Sequence, residues 1–258
     1  MSFAVRGLLL VLITTAISGC VTETTGNLRP QSPPDLIEAA RINTQLGSDY
    51  ARQGRYDVAE EKLRKAVEQN ERYAPAHTAL AYVLTQTGNR VDAEREYRRS
   101  LALAPNDAGT HNNFGVFLCG QGKYAEADRA FKVALADRNY QTPEAAWTNA
   151  GVCQMKAGNL PVAENDFRQA LKINPDFADA LAQISLLTFR RNDWLRTRAF
   201  IQRYEKVGVR TPEILLIAAF TERKLGDKVA ARRYEQTLLR EFPESDQAVQ
   251  LQKNLPAP

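Results

Sequence analysis

The sequence predicts an all-α fold, a right-handed superhelix (solenoid) of six helix pairs spanning residues 36–255, with no strand. Two observations predict it. The chain resembles itself about every 34 residues. Each of the first four copies also places a Gly where one helix would turn into the next. Composition agrees: 44% of the 258 residues are apolar and 25% charged, with 14 Gly, 12 Pro and 3 Cys, which excludes a collagen-like, disulfide-dense or largely disordered chain.

The copies run in order. Gln45-Leu46-Gly47, Tyr50, Gly54, Ala59, Leu63 and Ala66 set the phase of the first. The second holds Leu80-Ala81, Leu84, Gly88, Ala93, Tyr97 and Pro105, and the third Phe114-Gly115, Leu118, Gly122, Ala127, Phe131 and Ala134. Extra residues around Gln141-Thr142-Pro143 precede the fourth, which has Trp147, Ala150-Gly151, Gly158, Ala163, Phe167, Ala170 and Pro175. The fifth carries Leu181, Ile184-Ser185, Asn192, Trp194, Ile201 and Tyr204, and the sixth is degraded: Leu215, Ala218-Ala219, Gly226, Ala230 and Tyr234. Units therefore start near residues 40, 74, 108, 144, 178 and 212. Small residues such as Gly115 and Ala127 let paired helices approach, aromatics such as Phe131 fill the space between units, and Pro105 and Pro175 end second helices. No unit buries its apolar face alone, so neighbours stabilise one another. Ser245 N-caps a short polar helix that closes the array. The large–small–aromatic…Ala…Phe…Ala…Pro pattern resembles the tetratricopeptide repeat.

The N-terminus reads as an address. Arg6 precedes an uncharged run, residues 7–19, too short for the ~20 residues a membrane-spanning helix needs. Residues 1–19 therefore read as a signal peptide. Ile17-Ser18-Gly19-Cys20 resembles the lipobox of bacterial lipoproteins, which implies cleavage before Cys20 and acylation of its thiol and new amine. Val21, not Asp, follows the Cys, so the resemblance implies the periplasmic face of the outer membrane, reached through acyl chains. Residues 20–35, with Pro30, Pro33 and Pro34, read as the lipidated start and a flexible tether.

Chemistry is sparse in the rest. Lys and Arg number 34 against 30 Asp and Glu, interleaved along the chain, which with a periplasmic address argues against a nucleic-acid partner. His77 and His111 stand 34 apart, at the phase of Trp147 and Leu181, so they read as interdigitating packing residues with no acidic partner in phase. Motifs for zinc proteases, serine hydrolases, nucleotide loops and dinucleotide folds are all missing. The expectation is a binding protein and not an enzyme, with no cofactor, metal or small-molecule substrate.

A repeat array of this kind offers a concave groove lined by its first helices. The tetratricopeptide resemblance implies groove positions at Arg41, Thr44, Ser48 and Arg52, then Thr78, Tyr82, Thr85 and Gln86, then Asn112, Asn113 and Val116, then Thr148, Asn149, Val152 and Lys156. Asn113 and Asn149 share one repeat position, where an amide either meets a peptide backbone or bonds locally. Thr44 stands where the basic clamp of co-chaperones has Lys, which disfavours capture of a C-terminal carboxylate.

Longer stretches are more specific: Asn112-Asn113-Phe114-Gly115-Val116-Phe117-Leu118-Cys119, Thr142-Pro143-Glu144, Asn149-Ala150-Gly151-Val152-Cys153 and Ala199-Phe200-Ile201-Gln202-Arg203-Tyr204. With a lipobox and six repeats, they resemble the PilF/PilW family of type IV pilus biogenesis and stability lipoproteins. That resemblance implies a pilotin, which escorts the pilus secretin subunit to the outer membrane and promotes its multimerisation. The alternative is another periplasmic scaffold, serving peptidoglycan enzymes or outer-membrane protein assembly.

Cys119 and Cys153 lie in neighbouring first helices, two positions out of phase. At 100° per residue that is a rotation of about 200°. One can then face the other across the interface, and an oxidising compartment favours a disulfide. Two buried free thiols are the alternative.

Overall fold

The computed structural model describes residues 35–254; the expected signal peptide, Cys20 and nearly all of the expected tether lie outside the described residues. Thirteen α-helices and, among the described residues, no strand make up the chain. They pair as α1 (Leu36–Arg52) with α2 (Tyr56–Gln69), α3 (Ala74–Gln86) with α4 (Arg90–Leu103), and α5 (Ala108–Gly120) with α6 (Tyr124–Ala136). Next come α7 (Pro143–Lys156) with α8 (Leu160–Ile173), α9 (Ala178–Arg190) with α10 (Trp194–Tyr204), and α11 (Pro212–Lys224) with α12 (Lys228–Glu241). The terminal helix α13 (Asp246–Asn254) packs on α11 and α12.

Local chemistry sets the helix ends. Asn89, Asp107, Asp193, Thr211 and Asp227 each accept a hydrogen bond from the backbone amide three residues on, capping α4, α5, α10, α11 and α12. Ser245 does the same for α13, accepting from the Ala248 amide at 3.2 Å. The turns inside five pairs hold a Gly in the left-handed region, for example Gly88 at φ +82°. In the fifth pair Asn192 takes that conformation at φ +58°. Helix α1 begins about a turn before residue 40, where Glu38 complements the helix dipole and pairs with Arg41 at 2.7 Å.

Packing follows the repeat phases. Tyr97, Phe131 and Phe167 are almost fully buried. The Tyr97 ring stands 5.4 and 5.5 Å from those of Phe114 and Phe117, and burial pushes its phenol up to about 12. The small residues opposite are close-contact sites: a Cβ on Gly115 would stand 2.7 Å from the Phe131 ring, and one on Gly151 2.6 Å from Phe167. Apolar burial divides into two cores. One runs from α1 to the Ala150–Cys153 turn of α7, the other from Met155 to Leu251. Helix α7 belongs to both, directly after the extra residues Gln141-Thr142.

Candidate functional site

Where the first three units meet, α1, α3 and α5 enclose a cavity of about 540 Å³ together with the end of α4. Its walls are short apolar side chains, Ala51, Ala74, Pro75, Ala79 and Ala104. Its polar floor is a hydroxyl cluster: Thr78 Oγ1 lies 2.7 Å from Ser100 Oγ and 2.6 Å from Thr110 Oγ1. Ser100 donates to the Ala74 carbonyl at 3.0 Å, so the three hydroxyls largely satisfy one another. Spare hydrogen-bonding capacity therefore sits at the rim, on Arg52, Tyr82 and Asn113. The Asn113 amide has no hydrogen-bond partner among the described residues. Arg52 is held only by the exposed, local Asp49, a pairing that costs little to exchange. Tyr82 is 41% exposed; partial burial, and then the neighbouring Tyr56, push its phenol above its ordinary value.

Ser48, Arg52, Thr78, Tyr82 and Asn113, all expected in the groove, line this cavity. Three other expected groove residues are buried instead, and one of them, Thr148, donates to the Glu144 carbonyl at 2.8 Å. Thr44 is buried and donates to the Ala40 carbonyl at 2.8 Å; it falls on the stripe Ala40, Thr44, Gly47, Ala51 by which α1 meets the core. Asn112 is buried too, and accepts from Asn149 Nδ2 at 3.1 Å. That bond ties α5 to α7, so Asn113 and Asn149, at one repeat position, have different jobs. Arg41, Gln86, Val116 and Lys156 are exposed outside the cavity, and Arg41 is engaged by Glu38. Sequence reasoning passed over Ser100 because it considered first helices alone. A signal existed: Ser100 occupies the phase held by Ala66, Ala134 and Ala170.

The histidines also differ from expectation. His77 does have an acidic partner: its Nδ1 lies 2.7 Å from Glu96 Oε2, and its Nε2 3.0 Å from the Glu71 carbonyl. Contact with His77 holds the Glu96 carboxyl below its ordinary value, against the opposing effect of burial. His111 repeats the second contact, with Nε2 at 2.8 Å from the Pro105 carbonyl. Each ring thus staples the loop six residues before it to the start of a first helix. Among the described residues no cluster of three His, Cys, Asp or Glu could hold a metal ion, and no helix is long and apolar enough to cross a membrane.

Cys119 and Cys153 are joined as a disulfide with Cα atoms 5.7 Å apart. Both are buried, and the bond links α5 to α7 beside the Asn112–Asn149 contact.

Three family models described as tetratricopeptide repeat match residues 44–108, 108–139 and 144–177. The type IV pilus assembly protein PilF of Pseudomonas aeruginosa is 28% identical over 93% of this chain and 95% of its own length. The chain belongs to the tetratricopeptide-repeat family, and it is similar to type IV pilus biogenesis proteins over nearly its whole length. Solved structures of two such proteins superpose on it. PilW, described as a widely conserved type IV pilus biogenesis factor, gives a TM-score of 0.76 at 28% identity, covering 83% of this chain and 98% of PilW. Pseudomonas aeruginosa PilF gives 0.76 at 26%, covering 85% and 99%. An uncharacterised Haemophilus influenzae protein is 29% identical over 61% of this chain and 84% of its own.

Proposed function

We propose that this tetratricopeptide-repeat protein is an outer-membrane pilotin. In this reading acyl chains on Cys20 hold it at the periplasmic face. Its groove receives a segment of the pilus secretin subunit and promotes that subunit's localisation and multimerisation. One observation carries the reading: a chain similar to type IV pilus proteins over nearly its whole length opens a cavity between its first three units. That cavity is apolar enough to receive a side chain, and Arg52, Tyr82 and Asn113 stand at its rim to meet a peptide backbone. Anchoring raises the local concentration of both partners at one membrane, so the groove contact can be modest and still direct assembly. No step in this role needs a reacting group.

The test is a deletion strain examined for secretin multimers that resist detergent on a gel. Loss of multimers, restored by the wild-type chain but not by a Tyr82→Ala/Asn113→Ala variant, is the expected result. Unchanged multimers and normal twitching in the deletion strain would overturn the pilotin reading. Full rescue by the double variant would move the contact off this cavity.

A further inference from the structure

Charge is unevenly distributed along the array. Residues 36–189 carry 18 Lys and Arg against 19 Asp and Glu, whereas residues 190–254 carry 14 against 9. The change shows at a single phase. The fifth residue of the second helix is Glu60, Glu94, Asp128 and Glu164 in the first four units, then Arg198 and Arg232 in the last two.

Of the late acidic groups, Glu222 and Glu235 are buried in ion pairs that tie neighbouring helices together, and Glu164 pairs in the same way from the fourth unit. Glu164 on α8 holds Arg191 at 2.5 Å and Arg196 at 2.7 Å, across the turn of the fifth unit. Glu222 on α11 accepts from Arg198 Nε at 2.8 Å, and Glu235 on α12 from Arg223 Nε at 2.5 Å. Asp193 and Asp227 are engaged as helix caps. These bonds also locate the turns inside the last three pairs on one edge of the array.

That edge faces outward with cations and apolar tips. Lys156, Arg190 and Lys224 end successive first helices 34 residues apart; all three, and Lys228, are exposed and form no ion pair among the described residues. Cations at helix C-termini complement the dipole. That does not account for Leu195 and Val229, the second residues of α10 and α12, which stand 69% and 75% exposed. Apolar tips flanked by basic residues match a flat anionic sheet. We infer that this basic edge of the last three units docks on an anionic phospholipid bilayer, with Leu195 and Val229 entering the headgroup layer between the cations. The inference goes beyond the pilotin reading and needs neither the secretin nor an acylated Cys20.

Hydrogen exchange on the intact chain tests it. Vesicles of phosphatidylethanolamine and phosphatidylglycerol at about 3:1 are compared with phosphatidylcholine vesicles, in low salt. On the anionic vesicles, amides of residues 190–196 and 224–230 are expected to exchange at least threefold more slowly. The turn at 120–124, whose Lys123 is spent on Glu94 at 2.8 Å, is expected not to change. A Lys224→Glu/Lys228→Glu variant should lose the protection while keeping its helical spectrum. Equal exchange on both vesicle types overturns the inference. So does protection that appears only when poly-glutamate is added, which would assign the edge to an acidic polypeptide. A chain lacking acyl groups is not held on phosphatidylcholine vesicles, yet still reports on the edge through phosphatidylglycerol, so the anchor and the edge are judged separately.

Discussion

Asp166 offers a sharp test of how these units pack. It lies on α8, buried, facing Asp128 and Lys132 of α6. Burial pushes its carboxyl up from 3.8 to about 6, opposed by a hydrogen bond from Asn165, aided by the negative Asp128 and opposed least by Lys132. The sign follows from proton counting. Between 3.8 and about 6 the folded chain holds a proton that the unfolded chain has released, so folding stability falls as pH rises through this window and the full penalty is present above it. The shift alone would correspond to about 3 kcal/mol. Solvent and the exposed Lys132 screen the carboxylate, so we expect about 1–2 kcal/mol. Asp166→Asn removes the charge at constant shape, and its new amide can donate to Asp128. Urea titrations of both proteins from pH 3.5 to 8 measure the difference. The two are expected to match below pH 4 and to diverge through pH 6, with the variant the more stable at neutral pH. Taking the difference cancels carboxylates such as Glu94, held low by Lys123 and Arg98, that titrate alike in both chains. A difference flat in pH, or a wild type that gains on the variant as pH rises, would refute the reasoning.

Other substitutions probe separate contacts. Gly88→Ala is expected to cost about 1–2 kcal/mol from the left-handed conformation alone, since its Cβ would meet no atom within 4 Å; thermal melts that show no loss would count against it. Gly115→Ala should gain helix propensity yet still destabilise, because its Cβ would press on Phe131 at 2.7 Å and overpacking costs about 1–3 kcal/mol; a stabilised variant would show that the ring yields. Replacing Cys119 and Cys153 by Ser removes a cross-link of sequence separation 34, worth about 3–4 kcal/mol by loop closure, as read by chemical denaturation with and without reductant. Asn149→Ala, which breaks the bond to Asn112, should cost about 0.5–1.5 kcal/mol. Asn113→Ala should leave stability within about 0.5 kcal/mol, and equal losses in the pair would make both structural.

Much of the fold was legible because a repeat prints each structural demand several times. A left-handed turn, a close approach and an aromatic filler recur at fixed phases, so Gly88, Gly115 and Phe131 could be read against their counterparts. Even Asn192 was legible, standing where the other turns have Gly. The rest depended on contacts between helices. His77 and Glu96 are 19 residues apart on α3 and α4, and no periodicity within either helix reports that they meet. Thr44 and Asn112 were misplaced because a repeat position gives the order of residues on a helix but not how far the helix is rotated into its neighbour. Ser100 reaches the cavity floor from a second helix, which a rule confined to first helices does not consider.

The disulfide also decides how the array would respond to mechanical load. It joins residues separated by 34 positions, so α6 and the loops on either side of it sit inside a closed covalent ring. Pulled from its two ends, an oxidised chain carries tension through the sulfur bridge and leaves that ring slack. Its fully stretched length is then shorter by roughly 110–120 Å than that of the reduced chain, at ~3.3–3.6 Å per residue. The ring closes at Cys153, immediately before the seam in α7 where one apolar core gives way to the next. A chain under tension would thus yield at its terminal units before its middle, and recover its shape from a centre that had never been drawn out.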